Sequence, residues 1–264
     1  MAKKDNAEAK AEDAKKDNPI FYQNPVFLDQ KKHEKKSLND KLGFSFAKEQ
    51  VAVPVNAVEF PFLSRHYPVV FVGADTTTPA AFMGMRPNEN LFISKEGEWA
   101  ERTYVPAYVR RYPFIMSEDK ENDKLILCVD ETDKTIKEAK ENKFFDGEEM
   151  TDLTKNALEF CKSYHQASLQ TVEFGKKLRE LDILSPFQHQ ILLNMGFNAL
   201  FTIDERKFNA LPDDKILELR KMGALPIIYA QLFSMNNWQT LFDKVAALNA
   251  AENKDSDDKS KKKK

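Results

Sequence analysis

The chain has 264 residues and a mass of 30.4 kDa; 42% of its residues are hydrophobic and 31% charged, and 40 Lys and Arg against 42 Asp and Glu leave a net charge of -2. That length holds one large domain or two small ones, because globular domains run to roughly 100–200 residues. Near-cancelled charge excludes a strongly basic nucleic-acid binder, and twenty Phe exclude a chain that is disordered throughout.

Residues 1–18 carry five Lys and five acidic residues and contain no Leu, Ile, Val or aromatic residue. They cannot bury enough apolar area to offset the entropy of ordering, so a disordered charged tail is expected. The basic segment 31–41 reads as a solvated linker. Nine of the twelve prolines fall between Pro19 and Pro113. Runs rich in Val and Phe and punctuated by proline predict short antiparallel strands at 51–55, 58–63, 68–73, 80–85, 91–94, 113–117 and 124–129, the last two joined by a polar hairpin loop.

The period changes after Thr151. Ala157, Phe160, Cys161, Tyr164, Ala167, Thr171, Phe174, Leu178 and Leu181 recur at steps of three and four, the pattern of one long helix face, with Thr151 as N-cap and a stop before Ser185 and Pro186. Residues 188–193 and 197–203 flank Asn194-Met195-Gly196 and read as a β-hairpin. Pro212, preceded by Asn209 as a cap, opens a helix over 213–222 that Gly223 ends. An apolar helix over about 225–248, broken near Asn236-Asn237, closes the fold and offers a face for oligomerisation. Residues 250–264 are expected to form a disordered Lys-rich tail. The expected class is therefore α+β in a single domain over 19–249: a β-rich part, 44–131, then a mixed helical part, 151–249, made of the long amphipathic helix, the β-hairpin and the C-terminal helices.

No apolar stretch reaches the roughly 20 residues that cross a bilayer, and no apolar run near the start fits a secretory signal. A soluble protein located in the cytoplasm is the expectation. Cys128 and Cys161 stand far apart inside apolar patterns and read as two buried thiols rather than a disulfide framework.

Much catalytic chemistry is excluded by spacing. No two of the eight glycines lie within ten residues of each other, so the chain lacks the dinucleotide-binding turn, the phosphate loop and the nucleophile elbow, all of which need close-set glycines. The histidines His33, His66, His165 and His189 stand singly, with no His-x-Asp or H-E-x-x-H. Cys128, Cys161 and His165 lack the paired spacing of a zinc site. No metal, cofactor or catalytic residue is assigned.

Two polar-aromatic clusters remain. In residues 104–114, Tyr104, Tyr108, Arg110, Arg111 and Tyr112 could hold a carboxylate or phosphate, with the guanidiniums on the oxyanion and the rings beside it. The alternative is structural: arginine stacked on tyrosine and paired with Asp130 or Glu131. Arg65 and His66 form the second cluster, where His66 is either a base or part of a polar turn.

Ordered motifs add a resemblance. Phe60-Pro61-Phe62, then Tyr104-Val105-Pro106-Ala107-Tyr108-Val109-Arg110-Arg111-Tyr112-Pro113-Phe114, then Phe144-Phe145-Asp146-Gly147, then Phe201-Thr202-Ile203-Asp204-Glu205, Leu211-Pro212-Asp213, Leu217-Glu218-Leu219 and Gly223-Ala224-Leu225-Pro226-Ile227-Ile228-Tyr229-Ala230-Gln231-Leu232 resemble the bacterial SapC family over about 18–248. The resemblance implies a surface-layer context and brings no catalytic residues with it. Taken together, the expectation is a non-enzymatic accessory protein, cytoplasmic or peripherally associated with the envelope, that binds a protein or envelope component and no nucleic acid. The alternative is a small-ligand binder or enzyme that uses the Tyr/Arg cluster.

Overall fold

The structure, a computed structural model, describes residues 18–73, 77–119 and 124–261. The expected tail over 1–18 lies outside the described residues except for Asn18. The chain forms two compact units, one made of Met1–Phe46 and Val109–Gln166, the other of Ala47–Tyr108 and Ala167–Lys264.

The first unit is built on a three-stranded antiparallel sheet in the order β1 (Pro25–Phe27), β7 (Lys124–Asp130), β6 (Phe114–Asp119). β6 and β7 form the hairpin expected from the sequence, in register Phe114↔Val129 through Asp119↔Lys124. Smaller pairs join β2 (Lys36–Leu38) to β8 (Ile136–Glu138) and β9 (Phe145–Asp146) to β10 (Glu149–Met150). A short helix, α1 (Gln30–His33), is capped by Asp29, whose carboxylate accepts the Lys32 N–H at 2.9 Å, so this segment is ordered and not a linker. Leu28, Phe114, Leu127, Val129, Phe144 and Cys161 form the core of this unit.

The second unit holds a five-stranded antiparallel sheet in the order β11 (Leu184–Pro186), β12 (Leu200–Ile203), β4 (Val69–Val72), β5 (Thr78–Phe82), β3 (Ala52–Pro54). Pro25, Pro54 and Pro186 all fall in edge strands, where a missing N–H costs no ladder bond. Gly84 lies so close to Glu89 that a Cβ would meet the Glu89 carbonyl oxygen, which leaves room for glycine alone.

The long helix α4 (Asp152–Glu180) starts where Thr151 caps it, with the Thr154 N–H 3.5 Å from Thr151 Oγ1. Its first half belongs to the first unit, where Cys161 is buried; its second half belongs to the other, where Thr171, Phe174 and Leu178 are buried. The single-turn α3 (Ala107–Arg110) follows Pro106 as expected. After α4 come α5 (Gln190–Asn194), α6 (Glu205–Asn209), α7 (Asp213–Lys221), α8 (Ala224–Ser234) and α9 (Asn237–Lys261). Gly223, in the left-handed region at φ 69, ends α7 and precedes α8, and the break at Asn236 separates α8 from α9.

Four local expectations need correction. Residues 57–63 are a 3-10 turn followed by α2 (Phe60–Leu63) and not a strand, because Asn56 and Glu59 form a capping pair ahead of the apolar run. Residues 91–94 make one isolated bridge, Ile93↔Trp99. The hairpin after the long helix exists, but its first strand is β11; residues 190–194 form α5, whose first free N–H groups are met by His189 Nδ1 accepting from Ile191 at 3.3 Å. Asn209 is the last residue of α6, and Pro212 precedes α7 directly. In addition, α9 runs on to Lys261 through the expected tail, in a stretch with no glycine or proline to stop it; 262–264 lie outside the described residues.

Candidate functional site

In the second unit the conspicuous polar centre is a carboxylate that the sequence reading missed. Glu59 is 4% exposed and accepts three hydrogen bonds: from the Asn56 N–H at 2.9 Å, the Tyr104 hydroxyl at 3.1 Å and the Ala107 N–H at 2.7 Å. It ties the turn ahead of Phe60-Pro61-Phe62 to Tyr104 and Ala107, which is why those two motifs depend on one another. The signal was legible as Asn56-x-x-Glu59, a capping pattern masked by the strand-like composition around it. Tyr104 also stacks on Phe62 with ring centres 5.4 Å apart. Tyr108 is buried.

His66 is half-buried, its ring 5.9 Å from that of Tyr67, and Arg65 is exposed. Burial, with Arg65 beside it, holds the imidazole below its ordinary pKa, which favours the neutral ring at pH 7. Tyr67 is fully buried, donates to the Tyr104 carbonyl at 2.7 Å and accepts from Trp99 Nε1 at 3.2 Å; burial pushes its phenol up to about 12. His66 and Tyr104 therefore flank the same buried tyrosine.

In the first unit Arg110, Arg111 and Tyr112 lie against rings. The Arg110 guanidinium stands 5.1 Å from the Phe160 ring centre, and that of Arg111 stands 4.4 Å from Tyr164 and 5.8 Å from Tyr22. Tyr112 stacks on Phe46 at 4.1 Å and donates to Asp130 at 2.8 Å. Asp130, fully buried, takes the Gln23 and Asn24 N–H groups on its other oxygen at 2.8 and 2.6 Å. The carboxylate named in the sequence reading as an arginine partner is thus seen bonded to a tyrosine and two backbone amides. Burial and Asp130 raise the Tyr112 phenol. The two halves of the Tyr104–Phe114 motif use the same device, a tyrosine hydroxyl on a buried carboxylate, once in each unit.

The remaining candidates for chemistry have structural roles. His33 is buried with Nδ1 2.9 Å from the Asp29 carbonyl, and His189 caps α5. Among the described residues no three His, Cys, Asp or Glu side chains gather as a metal site. Cys128 and Cys161 are buried free thiols, each pushed up to about 11, chiefly by burial. Raised pKa values keep both protonated at pH 8, so the native protein is expected to react with a thiol-specific disulfide reagent at that pH only after denaturation, when two thiols per chain appear. Prompt reaction in the native state would contradict their burial.

The exposed surface of the second unit is more distinctive. Phe62 is 56% exposed, Tyr229 43% and Phe233 64%, and Met222 lies open nearby in sequence. Tyr229 and Phe233, one turn apart on α8, stack with centres 6.5 Å apart. α2, which carries Phe62, packs against α8. From Met222 to Phe242 the chain contains no Asp, Glu, Lys or Arg, although nearly a third of the whole chain is charged. The inner side of α8 is fixed by Gln231, fully buried, which donates to the Val69 carbonyl at 2.8 Å and accepts the Ile203 N–H at 3.2 Å. That bonding decides which side of the helix faces out.

The model of the SapC family matches residues 28–241, spanning both motif groups and most of the chain. The chain belongs to the SapC family. No curated protein and no solved structure matches it. The family match ends at Leu241, within α9. Among the described residues no helix is long and apolar enough to cross a membrane.

Proposed function

We propose that this SapC protein is a non-enzymatic accessory protein that holds a protein partner on the uncharged aromatic face of α2 and α8. One observation carries the reading: Phe62 on α2, Tyr229 and Phe233 on α8 and Met222 just before α8 are all exposed, α2 packs against α8, and the segment 222–242 is free of charge. Cores of protein–protein interfaces are depleted in charged residues and enriched in Tyr, Phe and Met, and a few aromatic anchors supply most of the affinity. The occupant that fits is a protein presenting an apolar, uncharged surface, because the segment 222–242 itself offers no charge to a polyanion or an acidic peptide. The surface-layer context that comes with the family belongs to this proposal, and envelope fractionation of a tagged chain addresses it.

Support also comes from the Tyr/Arg motif. Tyr104 and Tyr112 are bonded to buried carboxylates, and Arg110 and Arg111 lie over rings, so these side chains serve the fold. A ligand drawn to them would have to compete with contacts already made.

The Phe62→Ser/Phe233→Ser variant tests the reading, since both side chains are more than half exposed, and its circular dichroism and melting midpoint are compared with the wild type to check that it folds. A partner recovered with the wild-type chain, then purified and titrated, is expected to bind the variant at least about 30-fold more weakly, the loss of about 2 kcal/mol expected of an anchoring residue. Equal affinity would refute the proposal. Light scattering of the isolated chain identifies the case in which the partner is a second copy.

A further inference from the structure

We propose that the partner held on the aromatic face of α2 and α8 docks through an amphipathic helical segment whose apolar side is bracketed by a carboxylate at each end. The inference rests on that docking face and adds what its rim selects.

The fold sets cations at both ends of α8. Gly223 turns the chain from α7 into α8, so Arg220 and Lys221, in the last turn of α7, stand at the N-terminal end of α8 beside Met222. Arg65 follows α2 by two residues. The Ser64 carbonyl just before it accepts from the Asn237 side chain at 2.7 Å, which holds this turn at the C-terminal end of α8. With 11 residues at about 1.5 Å each, α8 keeps the two ends about 16 Å apart, and Tyr229 and Phe233 lie on the helix between them.

These charges are available. Arg65, Arg220 and Lys221 are exposed, and among the described residues none of the three is in an ion pair. The nearest acids on α7 are already engaged: Glu218 lies 2.7 Å from both Lys177 and Lys215, and Asp214 lies 3.7 Å from Lys215. The other charges close to the face in sequence come as neighbours of opposite sign, Glu101-Arg102 before Tyr104, Glu205-Arg206 on α6 and Asp243-Lys244 after the uncharged segment. Those doublets add no net charge, so the surplus at the rim is positive.

An uncharged aromatic centre with a cation at each end is complementary to apolar anchors bracketed by Asp or Glu. Rim charges of this kind steer encounter and set register more than they add affinity. Because α2 and α8 are helices, they offer no strand edge to an extended peptide, and a helix laid along them is the mode that fits. Three helical turns, about 11 residues, bring two side chains to the same side about 16 Å apart, the spacing of the cations. Anionic lipid surfaces are met instead by clusters of about 4–8 adjacent cations, and the three here are divided between two ends.

The test uses three synthetic helical peptides with one shared apolar side, differing only at two positions about 11 residues apart that carry Glu, Gln or Lys. Each is titrated into the full-length protein by fluorescence anisotropy at low and at high salt. At low salt the Glu peptide is expected to bind at least about fivefold more tightly than the Gln peptide, the scale of two or three exposed ion pairs, and the Lys peptide more weakly than either; high salt is expected to erase the differences. Arg65→Glu/Lys221→Glu is expected to reverse the order, and Phe62→Ser/Phe233→Ser to weaken all three peptides alike. Binding of no peptide, equal binding of all three, or an unchanged order in the charge-reversed variant overturns the inference. Equal binding that Phe62→Ser/Phe233→Ser still weakens leaves the docking face standing without its charged rim, whereas unaltered binding of every peptide in that variant removes the face itself. If the charge-reversed variant does not fold, the wild type decides: a Glu preference that survives high salt overturns the inference. Tighter binding to phosphatidylserine vesicles than to the Glu peptide overturns it as well, in favour of a lipid surface.

Discussion

Replacing Glu59 by Ala is expected to lower the stability of the protein by about 3–5 kcal/mol, because it removes the shared acceptor of two buried amides and a partly buried hydroxyl. The Asn56 N–H, the Tyr104 hydroxyl and the Ala107 N–H all converge on this carboxylate, and with Glu59 4% exposed no bulk water is at hand to replace it. Tyr104→Phe removes a single donor and is expected to cost about 1 kcal/mol, so the two variants separate the carboxylate from any one of its partners. Urea denaturation measures both. A Glu59→Ala midpoint equal to that of the wild type would show that the turn at 56–59 and Tyr104–Ala107 are held by packing alone.

The second large effect is expected at Asp130, in the other unit. Asp130→Ala removes the acceptor of the Gln23 and Asn24 amides and of the Tyr112 hydroxyl, again three donors at a fully buried site, and is expected to cost about 3–5 kcal/mol. Tyr112→Phe keeps the ring stacked 4.1 Å over Phe46 and loses only the hydroxyl, for about 1 kcal/mol. Here the readout extends beyond the midpoint: Gln23 and Asn24 lead into β1, so hydrogen exchange in β1 is expected to accelerate in Asp130→Ala before exchange in β6 does. Equal protection of β1 in the variant and the wild type would contradict the assigned role.

These two carboxylates also explain one of the motifs on which the family resemblance rested. Residues 104–114 read from sequence as either a ligand clamp or an internal fastening, and the side-chain bonding favours the fastening: tyrosine hydroxyls reach buried acids while the arginine guanidiniums lie over the rings of Phe160 and Tyr164. An isolated sequence cannot separate these readings, since the residue types are the same and only the position of Glu59 and Asp130 distinguishes them. Where local signals were strong, the fold was legible. Thr151, Gly223 and the Asn236 break marked helix ends correctly, and Pro25, Pro54 and Pro186 fall in edge strands, whereas Pro79 falls in the interior strand β5. Expectation and structure part where composition and capping disagree. Residues 58–63 look like a strand by Val and Phe content, yet the Asn56-x-x-Glu59 cap starts a helical turn. Residues 188–193 look like half of a hairpin, yet β12 takes β11 as its partner, because tertiary pairing overrides local propensity. The aromatic face was only half visible: the apolar run 225–248 stood out, but that Tyr229 and Phe233 turn outward follows from Gln231 turning inward, which no periodicity reveals.

Hydrogen exchange of the chain with and without its bound partner decides whether α2 and α8 form the docking face. Protection on binding is expected to concentrate in α2 and α8, around Phe62, Tyr229 and Phe233, with residues 104–114 unchanged. Protection confined to 104–114, with α8 exchanging as in the free chain, would contradict it.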